Sequence, residues 1–340
     1  MQTEDELIRG GAVCGPMAGS RLGMNFRIQY TQEGIGSAGF CDMSLEKAWI
    51  GLYALLVWAK KSRSLARRAI RKITGRRRDG FETALPRRIP RKIWIYWDTG
   101  EATAPPVVKA CIDSWRDLNP GWEVTVLDGD WIAASAGVIP PPGEHITVQA
   151  YSDLVRLRLL RRYGGVWVDA TVICLKPLDD WLPPVARHGF FAFLWTEADK
   201  WFVLPNVHRI MTSWFLASEP EGAIIAPWEE KSFAYWDGRR KPHDYYWVHL
   251  ILEYLRLTDR SVRRAFDAMP KLGAYAPHLV HDYVQGGRDK AAIRAALSSG
   301  AVPLQKLRWN WSAEELARAQ EVLDILPASA PAPASVGGNG

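Results

Sequence analysis

The stretch that decides the reading is Ser152-Asp153-Leu154-Val155-Arg156, followed by Tyr163-Gly164-Gly165-Val166-Trp167-Val168-Asp169-Ala170-Thr171. Gln149 to Arg162 reads as a helix, because Leu154, Leu157 and Leu160 recur at three-residue steps and Val155 and Leu159 widen the apolar face. Asp153 and Arg156 are three apart and are neighbours on that helix. Gly164-Gly165 stops it, as a left-handed C-terminal position prefers. Val166-Trp167-Val168 is a short buried strand, with Asp169 at or just past its carboxyl end. In open α/β sheets ligands bind beyond the carboxyl ends of the strands. A carboxylate there can hold a ribose hydroxyl or a divalent metal, with Asp153 and Arg156 supplying an acceptor and a phosphate donor beside it. The same letters also fit an Asp–Arg surface pair, a capped helix and a turn aspartate, so the motif alone leaves both readings open.

The flanks favour an α/β domain. Lys92 to Trp97 (KIWIYW) is a buried type of strand, Pro105 to Leu118 a helix with prolines at its start, and Trp122 to Leu127 (WEVTVL) the next strand. Strand, helix and strand joined by short turns predict a parallel pair. Residues 86–92 (PRRIPRK) form an extended linker ahead of a domain expected over 86–326. The tail 327–340 (PASAPAPASVGGNG) has the composition of a disordered segment. Residues 1–43 are glycine-rich without an apolar period, and lack the basic and apolar regions of a secretory signal.

Between them, residues 44–80 read as a helical extension. Ala48 to Ala59 (AWIGLYALLVWA) is apolar all round, and twelve residues fall short of the roughly 20 that span a bilayer. The chain carries 43 Lys and Arg against 37 Asp and Glu, and residues 60–78 hold ten of those bases and no acid. The basicity is therefore local. An apolar stretch running into a basic amphipathic one suits a helix on an anionic membrane surface through residues 44–78, or one docked on the following domain or on a partner. A nucleic-acid partner is not expected, because it leaves the α/β pattern that follows residue 86 unexplained. The four cysteines stand far apart, at positions 14, 41, 111 and 174, which weakens zinc and redox readings and fits a reducing cytoplasm. Walker A and G-x-G-x-x-G patterns are both missing, so NTP hydrolysis and dinucleotide redox have no support. The 17 tryptophans raise the expectation of sugar or base stacking only slightly, since most tryptophans pack cores.

The segment SDLVRLRLLRRYGGVWVDATV resembles the core of the bacterial capsular-polysaccharide-synthesis glycosyltransferases, which are related to glycosyltransferase family 32 and other Asp-x-Asp enzymes, including the large clostridial glucosylating toxins. IPRKIWIYWDTG, NPGWEVTVLD, Ser213 to Pro220, Tyr245 to His249 and Val302 to Leu307 resemble further blocks of the family, in order, over roughly 86–310. The resemblance implies an α/β domain of GT-A type, with a Rossmann-like, mostly parallel central sheet and flanking helices, preceded by the N-terminal helical extension. It implies a nucleotide-diphosphate sugar donor (a UDP-sugar is favoured), a glycan or lipid-linked acceptor in capsule or cell-surface polysaccharide synthesis, retention of configuration, and a site at the cytoplasmic face of the cell membrane. Carried over, Trp97 stacks on the base, Asp153 contacts the ribose or base, Arg156 contacts the donor sugar or phosphates, and Asp169 is the first aspartate of the Asp-x-Asp element. Asp169 and Arg156 are then the expected catalytic pair. Thr171 departs from the motif: the second aspartate, usually the direct ligand of Mn2+ or Mg2+, is a hydroxyl here. That puts the metal at Asp169 in question, and Lys306 is a base that can stand in for part of its charge. A non-catalytic sugar-nucleotide or glycan-binding protein on the same fold is the alternative that Thr171 suggests.

Weaker candidates have plain structural readings. His278-x-x-His281-Asp282 suits a metal less well than ordinary packing, His243-Asp244 reads equally as a turn, and Asp128 and Asp130 as caps. Trp309-Asn310-Trp311 is either a flap over the donor or acceptor or a packed aromatic pair.

Overall fold

In the computed structural model the described residues are 87–134, 146–195, 211–239, 241–286 and 289–324. The expected segments 1–43, 44–80 and 327–340 lie outside them. The chain enters on β1 (Lys92–Tyr96), crosses through α1 (Pro106–Leu118) and returns on β2 (Glu123–Leu127). A one-and-a-half-turn helix α2 (Gly129–Ala134) and the long α3 (Val148–Tyr163) lead to β3 (Gly165–Asp169) and β4 (Val172–Cys174). A short α4 (Leu182–Val185), β5 (Phe190–Leu194) and β6 (Met211–Ser218) follow. Then come α5 (Ile225–Trp236), α6 (Trp247–Thr258), α7 (Arg260–Ala268), α8 (Leu279–Val284), α9 (Lys290–Ser298), β7 (Leu304–Lys306) and α10 (Ala313–Gln320).

The central sheet has the order β2-β1-β3-β6-β5. Strand β1 runs parallel to both β2 and β3, while β6 runs antiparallel to both β3 and β5. The fold is α/β with flanking helices as expected, but the sheet is mixed, half parallel and half antiparallel. Parallelism was legible where a crossover helix, α1, joins β1 to β2. Strands β5 and β6 carry only a doubly buried apolar composition (Phe190, Phe191, Phe193 and Phe215 are all buried), which does not encode direction.

Local chemistry explains the elements that frame the carboxyl ends of β1 and β3. Pro106 opens α1, whose Val108, Ile112 and Trp115 pack on the sheet. The Trp115 indole donates to the Val172 carbonyl at 2.7 Å, tying α1 to β4. The other flank of α1, Val107 and Cys111, joins a second apolar cluster with Ile173, Val280 and Leu307. Thr147 caps α3, its hydroxyl accepting the Ala150 N–H at 3.2 Å. Gly164 ends α3 at φ 65°, and a side chain there would put Cβ 2.7 Å from the Pro220 ring. Gly165, at φ 101°, lies so close to β1 that a Cβ would sit 2.5 Å from the Lys92 carbonyl oxygen. The Gly-Gly pair is therefore what lets a helix turn straight into a central strand. Strand β4 pairs antiparallel with β7, so that Val172 faces Lys306. Gln305, fully buried, holds β7 in place: its amide oxygen accepts the Val280 N–H at 3.0 Å and its amide nitrogen donates to the Ala276 carbonyl at 2.9 Å.

Candidate functional site

All six nominated residues, Trp97, Asp153, Arg156, Asp169, Thr171 and Lys306, lie on the wall of one cleft of about 780 Å3. Trp97 follows directly on β1, and Asp169 ends β3, in register with Tyr96 on the neighbouring parallel strand. They therefore leave the sheet side by side at its carboxyl edge. Asp153 and Arg156 come from α3, and Thr171 and Lys306 from either side of the β4–β7 ribbon.

Arg156 is the hub, and it is 5% exposed. Its Nε donates to the Ser152 carbonyl at 3.2 Å, one terminal nitrogen to the Ser213 carbonyl at 2.8 Å and the other to the Ser152 hydroxyl at 3.0 Å. Its two terminal nitrogens also lie 3.3 Å from Asp153 and 3.5 Å from Asp169. The guanidinium sits 5.0 Å from the centroid of the Trp167 ring. Of the five N–H donors of the guanidinium, three make hydrogen bonds to Ser152 and Ser213, and the carboxylates stand beside the terminal nitrogens at ion-pair distances. Arg156 thus stands between the two carboxylates, with three of its donors already turned to Ser152 and Ser213.

The two carboxylates differ. Burial pushes the Asp153 carboxyl up to about 6, with Asp169 adding to the rise and Arg156 opposing it. Asp169 is partly buried, with 29% of its side chain exposed, and the loss of solvent alone would raise it. The Lys306 ammonium, the Arg156 guanidinium and the Trp167 N–H (3.1 Å from Oδ1) outweigh that burial and hold it below the ordinary carboxylate range. Lys306 Nζ lies 3.4 Å from Asp169 Oδ2 and donates to the Thr171 hydroxyl. At neutral pH the site therefore holds one firmly ionised carboxylate, one readily protonated carboxylate and two cations.

The donor set does not fit a divalent metal. Oδ1 of Asp169 faces Arg156 and the Trp167 N–H, Oδ2 faces an ammonium, and the Thr171 hydroxyl takes the same ammonium's hydrogen bond. Among the described residues no group of three His, Cys, Asp or Glu side chains converges. A hard cation needs several oxygens at 2.0–2.6 Å, and here it would meet two fixed positive charges instead.

The rest of the wall is aromatic. The Trp97 and Trp309 rings meet edge to face at 6.0 Å. Trp309 is half exposed at the cleft, whereas Trp311 packs on the second apolar cluster, so the Trp-Asn-Trp pair divides between the two expected roles. Trp195, Trp214, Tyr245, Tyr246 and Trp247 continue the wall. The indole N–H groups of Trp97, Trp214 and Trp247 are buried without a hydrogen-bond partner among the described residues. Those of Trp181, Trp236 and Trp311, outside the cleft, also lack one, so it is their place on the cleft wall that makes the first three available to a ligand rich in oxygen. Sequence reasoning missed Trp214 and the tyrosines as wall residues. Their spacing marks a strand and a helix start, and nothing in it distinguishes a cleft aromatic from a core one.

The remaining candidates pack or cap, and of them His278 also lines the cleft. His278 lies against Trp195 and Trp214 with Nδ1 2.7 Å from the Ala274 carbonyl, and burial lowers it to about 3. Asp282 accepts the Tyr275 hydroxyl at 2.6 Å. Asp128 caps the turn to α2 by accepting the Trp131 N–H at 2.7 Å, and Asp244 accepts the Tyr246 N–H at 2.6 Å. Cys111 and Cys174 are buried free thiols, both pushed up by burial.

A family model described as "Capsular polysaccharide synthesis protein" matches residues 57–325. Among curated relatives, O-glycosyltransferase braB of Annulohypoxylon truncatum is 28% identical over 197 residues, covering 52% of this chain and 44% of that protein. O-glycosyltransferase PaGT of Phomopsis amygdali is 27% identical over 187 residues, covering 49% and 43%. The matched region thus spans less than half the length of either relative. Among solved structures, galactosyltransferase LgtC, in complex with donor and acceptor sugar analogues, superposes with a TM-score of 0.35 and 13% identity, over 72% of this chain and 98% of that one.

Proposed function

The chain belongs to the capsular polysaccharide synthesis protein family, and from that premise we propose that it is a GT-A-type glycosyltransferase whose cleft takes a nucleotide-diphosphate sugar as donor. The observation that carries the reading is the convergence of an aromatic face, two carboxylates and an ammonium at the carboxyl ends of adjacent parallel strands. A nucleotide sugar offers a flat base, hydroxyl-bearing rings and a doubly charged diphosphate, and each has a partner here. Trp97 stacks on the base. The Asp153 carboxylate accepts a ribose hydroxyl, and Asp169 accepts a hydroxyl of the sugar to be moved. Lys306 faces the diphosphate. Arg156 positions both carboxylates, a narrower role than contact with the donor. The partnerless indole N–H groups donate to hydroxyls of donor or acceptor.

In the transfer, the bond between the sugar's anomeric carbon and the phosphate oxygen breaks with its electron pair going to that oxygen. The acceptor hydroxyl oxygen forms the new bond, and its proton passes to the departing phosphate. The acceptor oxygen arrives on the face that the phosphate leaves, so configuration is retained. A UDP-sugar is the favoured donor, and a glycan or lipid-linked hydroxyl in cell-surface polysaccharide synthesis is the acceptor, beside Tyr245 and Tyr246. Residues 44–80 rest on the inner face of the cell membrane; a deletion of 44–78 that leaves the vesicle-bound fraction unchanged refutes that part. The main test incubates the full chain with UDP-, GDP-, ADP- and dTDP-sugars and candidate acceptors, and follows nucleoside diphosphate release by mass spectrometry. One donor class turns over. Tight binding with no release across the whole panel transfers the case to a non-catalytic sugar-nucleotide-binding protein.

A further inference from the structure

We propose that Lys306 replaces a divalent cation at the donor diphosphate, so that nucleotide binding and transfer in this chain are independent of divalent metal. The inference rests on the glycosyltransferase reading and deepens it. In an Asp-x-Asp site two carboxylates hold one doubly charged ion, and the set is neutral. Here the second carboxylate is Thr171 and the doubly charged ion is a singly charged ammonium, 3.4 Å from Asp169. Asp169 and Lys306 together are neutral again. A diphosphate would meet the same local charge, now fixed by covalent attachment.

The ammonium is also built into place. β7 brings Lys306 opposite Val172, the Leu307 N–H donates to the Thr171 carbonyl at 2.7 Å, and buried Gln305 anchors the strand to α8. Thr171, 7% exposed, accepts one N–H of the ammonium, and Asp169 faces a second. An ammonium has three donors, which leaves one for a phosphate oxygen. Arg156, the other cation, spends three of its five donors on Ser152 and Ser213, and its terminal nitrogens face Asp153 and Asp169. As the donor bond breaks, negative charge grows on the departing phosphate, and a preorganised cation beside it stabilises that charge without reorganising. Thr171 of the motif and Lys306 of β7 therefore act as one device.

The test uses the full chain stripped with EDTA and titrated calorimetrically with UDP, GDP and ADP, each in excess EDTA and in millimolar Mn2+. The nucleotide that binds should do so at least as tightly in EDTA as in Mn2+, since Mn2+ in solution occupies the diphosphate that Lys306 would face. Lys306→Met should weaken binding by about tenfold or more in both, and Lys306→Arg should recover part of the loss. Paramagnetic resonance of Mn2+ should show no uptake by the protein–nucleotide complex beyond what the nucleotide itself binds. Wild-type binding that requires Mn2+ overturns the inference, and leaves the donor site standing. If none of the nucleotides binds in either medium, the donor-site reading falls and takes the inference with it.

Discussion

Helix α3 presents two charged clusters on two faces, and they are built differently. On one face Glu229 of α5, 3% exposed, receives Arg158 Nε and, at 2.8 Å, Arg161. Arg158 also covers the Phe233 ring at 4.1 Å, and Arg161 reaches Glu221 at 3.1 Å. On the other face Arg156 stands 3.3 and 3.5 Å from Asp153 and Asp169, and Lys306 stands 3.4 Å from Asp169. The first cluster is closed by hydrogen bonds and locks α3 onto α5. The second is held at ion-pair distances on the wall of a cleft, among buried indole donors without partners. The difference separates a cluster that the fold completes from one that a ligand completes.

The sharpest break between the two faces is expected in catalysis. Asp169→Asn should lower kcat/KM by about 100- to 1,000-fold, roughly 3–4 kcal/mol of transition-state stabilisation, as for loss of one preorganised polar contact. Glu229→Gln should leave kcat/KM within about threefold, because it touches only the packing of α3 on α5. Initial rates with the turned-over donor measure both, and equal losses would erase the distinction.

Stability should reverse the order. Glu229→Ala leaves two arginines facing a gap and should cost about 2–4 kcal/mol in urea unfolding; both arginines keep some solvent, which trims the figure for a fully buried pair. Asp153→Asn should cost less than about 1 kcal/mol at neutral pH, or stabilise. The sign follows from the raised carboxyl. The folded state holds the Asp153 proton more tightly than the unfolded chain does, so this group's contribution to stability is full below the ordinary carboxylate value of 3.8 and is lost as pH rises through about 6. Above 6 the ionised carboxylate is a cost of having a site, and the amide removes it. A larger loss for Asp153→Asn than for Glu229→Ala would invert the account.

The smallest effect expected is on pH dependence. A ribose hydroxyl needs the ionised Asp153, so nucleotide affinity should fall by up to about tenfold per pH unit as pH drops below about 6. Asp153→Asn should bind more weakly and lose that limb of the profile. A wild-type profile flat down to pH 4 would remove Asp153 from the donor contacts.

Much of this was legible in the chain because single residues carried it. The Gly164-Gly165 stop and the apolar Val166-Trp167-Val168 run placed Asp169 at a strand's carboxyl end, and the three-residue spacing placed Asp153 beside Arg156. The α1 crossover announced the parallel β1–β2 pair. The directions of β5 and β6 were not legible, because burial on both faces leaves one apolar pattern for either direction. The role of Arg156 needed coordinates, since its partners Ser213 and Asp169 are distant in sequence and two of its hydrogen bonds go to backbone carbonyls. Lys306 was expected only as a base beside the diphosphate, and its bond to Thr171 spans 135 positions of sequence. No local pattern encodes that pairing.

The most direct test of the account is a crystal structure of the chain with a bound nucleoside diphosphate. The account predicts the base against Trp97, a ribose hydroxyl on Asp153, a phosphate oxygen within hydrogen-bond reach of Lys306 Nζ, and the Arg158–Glu229–Arg161 cluster unchanged. A nucleotide bound outside this cleft, or one whose diphosphate points away from Lys306 and Asp169, would contradict it.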